Sequence, residues 1–169
     1  MKNFLRSKKY LNQSIYTRTF EKKFSKFLGS RYSVFVNSGS SANLLMAQVL
    51  LEGNYLKNKK IVLPSVSWST SVSPFIQLGY EIILCDCDKK NLGLCTNDLE
   101  IICKKYNPGL VLAVNVLGHS NNYEKIKKLK KKYNFKLIED NCESLGSKTK
   151  RGMLGTLGMA SSHSFYYGH

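Results

Sequence analysis

The stretch at residues 110–140, LVLAVNVLGHSNNYEKIKKLKKKYNFKLIED, carries the pattern that decides the fold. The apolar run at 110–114 is short and reads as a buried strand. Between 123 and 133, Ile126 and Leu129 punctuate a run of Lys125, Lys127, Lys128, Lys130, Lys131 and Lys132. That spacing describes a helix with one buried stripe and a solvated lysine face. A second short strand follows at 136–139. Strand, helix, strand in this order is the repeating unit of a parallel sheet.

The same alternation extends outward in both directions. Phe20, Phe24, Phe27 and Leu28 share one helix face, and Gly29 stops that helix. A strand is expected at 32–36, a helix at 41–51 and a buried strand at 61–63. The segment 69–78 reads as a helix closed by Gly79, and 81–85 as a strand. A helix is expected at 97–106 with Asn97 as its cap, and one more strand at 160–165. The fold class is therefore α/β: a three-layer, mostly parallel sheet with helices on both faces. In such sheets ligands bind beyond the C-terminal ends of the strands.

Composition bounds the function. The chain has 169 residues, enough for one domain or part of a larger one, and 43% are apolar. No run of 18 apolar residues exists to span a membrane. The basic start, MKNFLRSKKYLNQ, lacks the continuous apolar stretch of a signal peptide. A cytoplasmic protein with no membrane partner is expected. Cys85, Cys87, Cys95, Cys103 and Cys142 are odd in number and follow no disulfide framework. The C-x-C pair is not a metal knuckle, so reduced structural cysteines and no metal site are expected. The net charge of +15 raises the question of nucleic acid. Only Arg6, Arg18, Arg31 and Arg151 among the 26 basic residues are arginine, the side chain that phosphate and base readers favour. No nucleic-acid partner is expected.

Four constellations fall at strand exits. Asn37 to Asn43 place Gly39, Ser40 and Ser41 at a helix start, where backbone N–H groups can hold an anion; a plain serine cap with a turn glycine fits the same residues. Asp140, in Glu139-Asp140-Asn141-Cys142-Glu143, can face a cationic ligand group or cap a helix. Trp68, the only tryptophan, can offer a flat face to a ring or sit in a core. In the last constellation, 162–169, Ser164 can add a hydroxyl to a phosphate, and His169 can move a proton near neutral pH. Alternation turns His163 away from Ser164's side, and His119 reads as a surface residue.

Together the strings VNSGSSANLL, LPSVSWSTSVSP, LIEDNCESLGS and SFYYGH resemble the pyridoxal-phosphate (PLP)-dependent sugar aminotransferase and dehydratase family, of fold type I. The resemblance runs from about Arg18 to His169. It implies that Gly39, Ser40 and Ser164 hold the cofactor phosphate and that Trp68 stacks on the pyridine ring. Asp140 would bind the ring nitrogen, keeping it protonated so that the ring can accept electrons. Glu143 stands where relatives carry Gln or Glu near the ring hydroxyl.

His169 stands where aminotransferases of the family have lysine. Lysine joins the PLP aldehyde covalently; imidazole does not. The same replacement marks a subgroup, the 3-dehydrases of nucleotide-linked 4-keto-6-deoxyhexoses, which use untethered pyridoxamine phosphate (PMP). The resemblance thus implies a C3 dehydration in lipopolysaccharide or other surface-polysaccharide synthesis, with His169 as base, a nucleotide-sugar substrate and a homodimer. A sugar-nucleotide aminotransferase and a non-catalytic fragment are the alternatives. Family members continue well past this point. Residues 1–17 are therefore expected to be an arm and 18–169 part of the PLP-binding large domain. The C-terminal small domain would be absent, and the 169-residue chain alone inactive.

Overall fold

The computed structural model describes Arg6 and residues 14–168. The chain divides into two compact units, residues 1–36 and residues 37–169.

In the first unit, helix α1 (Ile15–Leu28) begins at Ser14, whose side chain accepts the Tyr16 N–H. Gly29 ends it in the left-handed conformation, φ 80°, where a side chain would be strained. Phe20 and Phe24 stack at 5.8 Å, as their spacing of four requires. The expected strand at 32–36 has no ladder among the described residues. The Phe35 N–H donates instead to the Glu21 carboxylate at 2.8 Å.

The second unit holds the sheet. Its elements are α2 (Gly39–Glu52), β1 (Lys60–Pro64), α3 (Ser73–Gln77), β2 (Glu81–Cys85), α4 (Thr96–Tyr106), β3 (Leu110–Val114), α5 (Tyr123–Tyr133), β4 (Lys136–Asp140), the small hairpin β5 (Lys148–Thr149) and β6 (Gly152–Met153), and β7 (Ser161–Ser162). Five strands lie in the order β2-β1-β3-β4-β7, every pair parallel.

Strand alternation sends side chains to two cores, as a sheet covered on both faces requires. Ile61, Leu63, Leu110, Leu112 and Ile138 pack with Met46, Ala47 and Leu50 of α2 and Phe75 of α3. Val62, Val111, Ala113 and Leu137 pack with Leu99 and Ile102 of α4 and Ile126 and Leu129 of α5. Each buried Val, Leu, Ile, Met or Phe among them contributes about 1.5–3 kcal/mol. The lysines of α5 lie on its outer side, mostly exposed, as their spacing predicts.

The chain runs from β1 outward to edge strand β2, then back across to β3 on the other side of β1. The connecting helix α3 covers one face, while α4 and α5 cover the other. The order reverses between β1 and β3, so a crevice opens there at the C-terminal strand ends.

Three local expectations are corrected. The segment 69–78 is not one helix but a 3-10 turn, Ser69–Ser71, followed by α3. Pro74 has no N–H to give the preceding turn, so a continuous helix would lose a bond there. Helix α4 starts at Thr96, and Cys95 rather than Asn97 holds the cap position. The last strand pairs only over Ser161–Ser162, because β4 ends at Asp140, the partner of Ser162.

Candidate active site

A cleft of about 540 Å³ lies at the switch point, beyond the C-terminal ends of the strands. Its walls come from the start of α2, the segment after β1, the exit of β3, the end of β4 and the segment after β7. Gly39, Ser40, Trp68, Asp140, Glu143 and Ser164 all border it. Six of the seven residues singled out in the sequence thus converge on one cavity. The seventh, His169, lies outside the described residues.

One end of the cleft is formed by the start of α2. Ser38 caps α2: its hydroxyl accepts the Ser41 N–H at 3.1 Å and its carbonyl accepts the Ala42 N–H at 3.0 Å. The helix starts two residues earlier than expected, at Gly39. The N–H groups of Gly39 and Ser40 precede the first intrahelical bond and border the cleft. They supply donors and the positive end of a 14-residue helix. The serine cap is Ser38, which leaves the N–H groups of Gly39 and Ser40 available as donors. The Ser164 hydroxyl group borders the same cleft and accepts the Tyr166 N–H at 3.2 Å.

Gly39 is required for a packing reason. A Cβ at this position would lie 2.7 Å from the Cys142 sulfur. Burial first, then the Asp140 charge, push the Cys142 thiol up, so it stays neutral. Gly39→Ala is expected to displace the start of α2 and lower the affinity for a phosphate-bearing ligand by about tenfold, one lost charge-assisted hydrogen bond. Adding Cys142→Ala should restore most of it, as measured by equilibrium dialysis. A failure of the second change to rescue the first would separate Gly39 from Cys142.

The middle and far end of the cleft differ in character. Trp68 is 74% exposed, so it is not a core residue. Asp140 is 4% exposed, at the end of β4. Its Oδ2 accepts from Asn43 Nδ2 at 2.8 Å and Ser71 Oγ at 2.9 Å, and its Oδ1 accepts the Cys142 N–H at 3.1 Å. It is a buried cleft-wall carboxylate and caps no helix. Glu143 is exposed, and its carboxylate accepts the Leu117 N–H at 3.3 Å.

Both remaining histidines stand apart from the cleft lining. His119 is exposed, as expected. His163 is turned from the cleft, with Nε2 3.1 Å from the Ser161 hydroxyl. Burial lowers its pKa from 6.5 to about 4, against the opposing pull of Asp140. As pH falls below 6.5 the unfolded chain takes up this proton first; the folded chain takes it only near 4. Stability is thus full above 6.5 and declines toward 4. His163→Gln should flatten that part of the urea-midpoint profile; an unchanged slope would refute the assignment.

Glu139, whose neighbour Asp140 borders the cleft, carries a role that sequence reasoning missed. It is fully buried. Its carboxylate accepts from Tyr123 Oη at 2.9 Å, Asn115 Nδ2 at 3.3 Å and the N–H groups of Gly155, Leu157 and Gly158 at 2.6–2.8 Å. One side chain thus ties β3, α5 and the loop leading into β7. The available signal was a glutamate directly after the apolar pair Leu137-Ile138, which needs buried donors if it continues inward. Those donors lie up to 24 residues away in sequence.

The donor set has an anion-holding end, an exposed indole and a carboxylate end around one cavity. It fits a phosphorylated aromatic ring with a protonated nitrogen. Comparison with known proteins agrees. The chain is 35% identical over 155 residues to the GDP-4-keto-6-deoxy-D-mannose 3-dehydratase of Yersinia pseudotuberculosis, covering 90% of this chain and 39% of that protein. The structure of the Escherichia coli 3-dehydratase with bound hydrated PLP superposes with a TM-score of 0.86 at 36% identity, covering 93% of this chain and 41% of that one. GDP-perosamine synthase of Escherichia coli O157:H7 is 27% identical, over 95% of this chain and 46% of its own. The chain spans about 40% of the length of the 3-dehydratases it matches. The family model described as DegT/DnrJ/EryC1/StrS aminotransferase matches residues 1–169. This chain belongs to the DegT/DnrJ/EryC1/StrS aminotransferase family.

Proposed function

We propose that this chain forms part of the PLP-binding large domain of a PLP/PMP-dependent 3-dehydrase. The substrate would be a nucleotide-linked 4-keto-6-deoxy sugar, and the pathway lipopolysaccharide or surface-polysaccharide synthesis. The observation that carries this is the single cleft bordered by Gly39, Ser40, Trp68, Asp140 and Ser164. Residues 18–169 belong to the large domain, the arm expected at 1–17 lies largely outside the described residues, and the complete enzyme works as a cytoplasmic homodimer.

Each residue has a defined task. The N–H groups of Gly39 and Ser40 and the Ser164 hydroxyl hold the phosphate. Trp68 covers the ring face and excludes water from it. Asp140 accepts the ring N–H, and Glu143 lies toward the ring hydroxyl. When bound, PMP supplies an amine for the sugar ketone and a protonated ring that draws off electron density. His169 takes and returns a proton through an imidazole nitrogen.

The histidine in SFYYGH separates this reaction from transamination, because it cannot tether PLP. In the complete enzyme, PLP should dialyse away, and borohydride should leave residue 169 unlabelled in peptide maps. His169→Lys should yield PLP fixed at residue 169. The similarity to GDP-perosamine synthase supports the aminotransferase alternative. Borohydride fixation to a cleft lysine in the unmodified enzyme would establish that alternative and reject the dehydrase.

A further inference from the structure

Asn43 is 1% exposed, yet its Oδ1 has no hydrogen-bond partner among the described residues. Its Nδ2 donates to the Thr70 carbonyl at 3.3 Å and to Asp140 Oδ2 at 2.8 Å. Turning the amide over would set Oδ1 against these two acceptors, so the orientation is fixed by chemistry. A buried acceptor left unpaired is costly, and the contact with Asp140 is what the residue retains in exchange. Ser71, 2% exposed, donates to the same oxygen. A carboxylate oxygen has two lone pairs. Oδ2 is therefore filled by two side-chain donors, while Oδ1 takes the Cys142 N–H. Among the described residues the further donor toward this carboxylate is the Cys142 thiol, a weak donor that a charged ring N–H outcompetes.

We propose that Asn43 and Ser71 are positioning residues that occupy Asp140 Oδ2 and thereby leave Oδ1 as the acceptor for a ligand's ring N–H. This rests on the proposed PLP/PMP function and specifies how its carboxylate is aimed. Asn43 lies four residues after Gly39 on α2. One helix therefore presents the anion-holding N–H groups at its start and grips the ring-binding carboxylate one turn later. The spacing between the two ends of the ligand site is set by a single rigid element.

The test compares PMP with its carbocyclic analogue, in which C–H replaces the ring nitrogen, by equilibrium dialysis. The unaltered protein should prefer PMP by about tenfold or more, the worth of one hydrogen bond to a charged group. Asn43→Leu and Ser71→Ala should each cut that preference severalfold while changing affinity for the analogue little. Ser71→Thr, which keeps the hydroxyl, should retain the preference. A purely structural role would weaken both ligands alike and leave the ratio unchanged, which would overturn the proposal. Ser71→Ala removes one oxygen only and decides the matter if Asn43→Leu does not fold. An unaltered protein that binds both ligands equally would remove the Asp140–ring contact, and this inference with it.

Discussion

Replacing Asp140 with asparagine is expected to lower PMP affinity by about tenfold to a hundredfold. The loss is that of a hydrogen bond to a charged acceptor in a buried site. Asparagine keeps the volume, so the cleft should keep its shape. It does not keep the charge that balances a protonated ring nitrogen, and its amide group brings a donor where Asn43, Ser71 and the Cys142 N–H already donate. Equilibrium dialysis checks the change, with thermal unfolding as a control on folding. Undiminished PMP binding would place the ring away from Asp140.

A larger effect on stability is expected at Glu139. Glu139→Ala would leave Tyr123, Asn115 and the N–H groups of Gly155, Leu157 and Gly158 without their shared acceptor in a dry interior. Breaking a buried charged network in this way costs about 3–5 kcal/mol. For a chain of this size the melting temperature should fall on the order of 10 °C. Glu139→Gln keeps one acceptor oxygen but turns a donor toward other donors, so it should recover only part of the loss. A shift within the error of the scan in both variants would show that the loop before β7 holds itself without Glu139.

The sheet was readable because its signal is local. Strands 81–85 and 110–114 and helix 123–133 match β2, β3 and α5 at both ends. Each ends beside a polar residue, Asp86, Asn115 or Asn134, and is a short apolar run or a clear helical repeat. What failed depended on partners. Residues 32–36 and 160–165 have strand composition, but a ladder needs a neighbour of equal length. Asp140 ends the one beside β7. The site divides in the same way. Gly39, Ser40, Trp68, Asp140, Glu143 and Ser164 were legible because they follow strands in strings resembling a known family. The positioning side chains were not. Asn43 lies inside VNSGSSANLL with nothing local to give it a task. Its meaning comes from Asp140, 97 residues away. Ser71, 69 residues from Asp140, is one of several serines in its segment, and nothing local singles it out.

The single tryptophan provides the most direct measurement. Trp68 lies 74% exposed on the cleft wall, so its emission reports on that cavity alone. PMP, which has no aldehyde to react with surface lysines, is titrated into the protein. Saturable quenching of the Trp68 emission is expected, and inorganic phosphate should compete with it through the N–H groups of Gly39 and Ser40. Emission that stays constant while PMP is added to saturation would contradict a cofactor cleft at the strand ends.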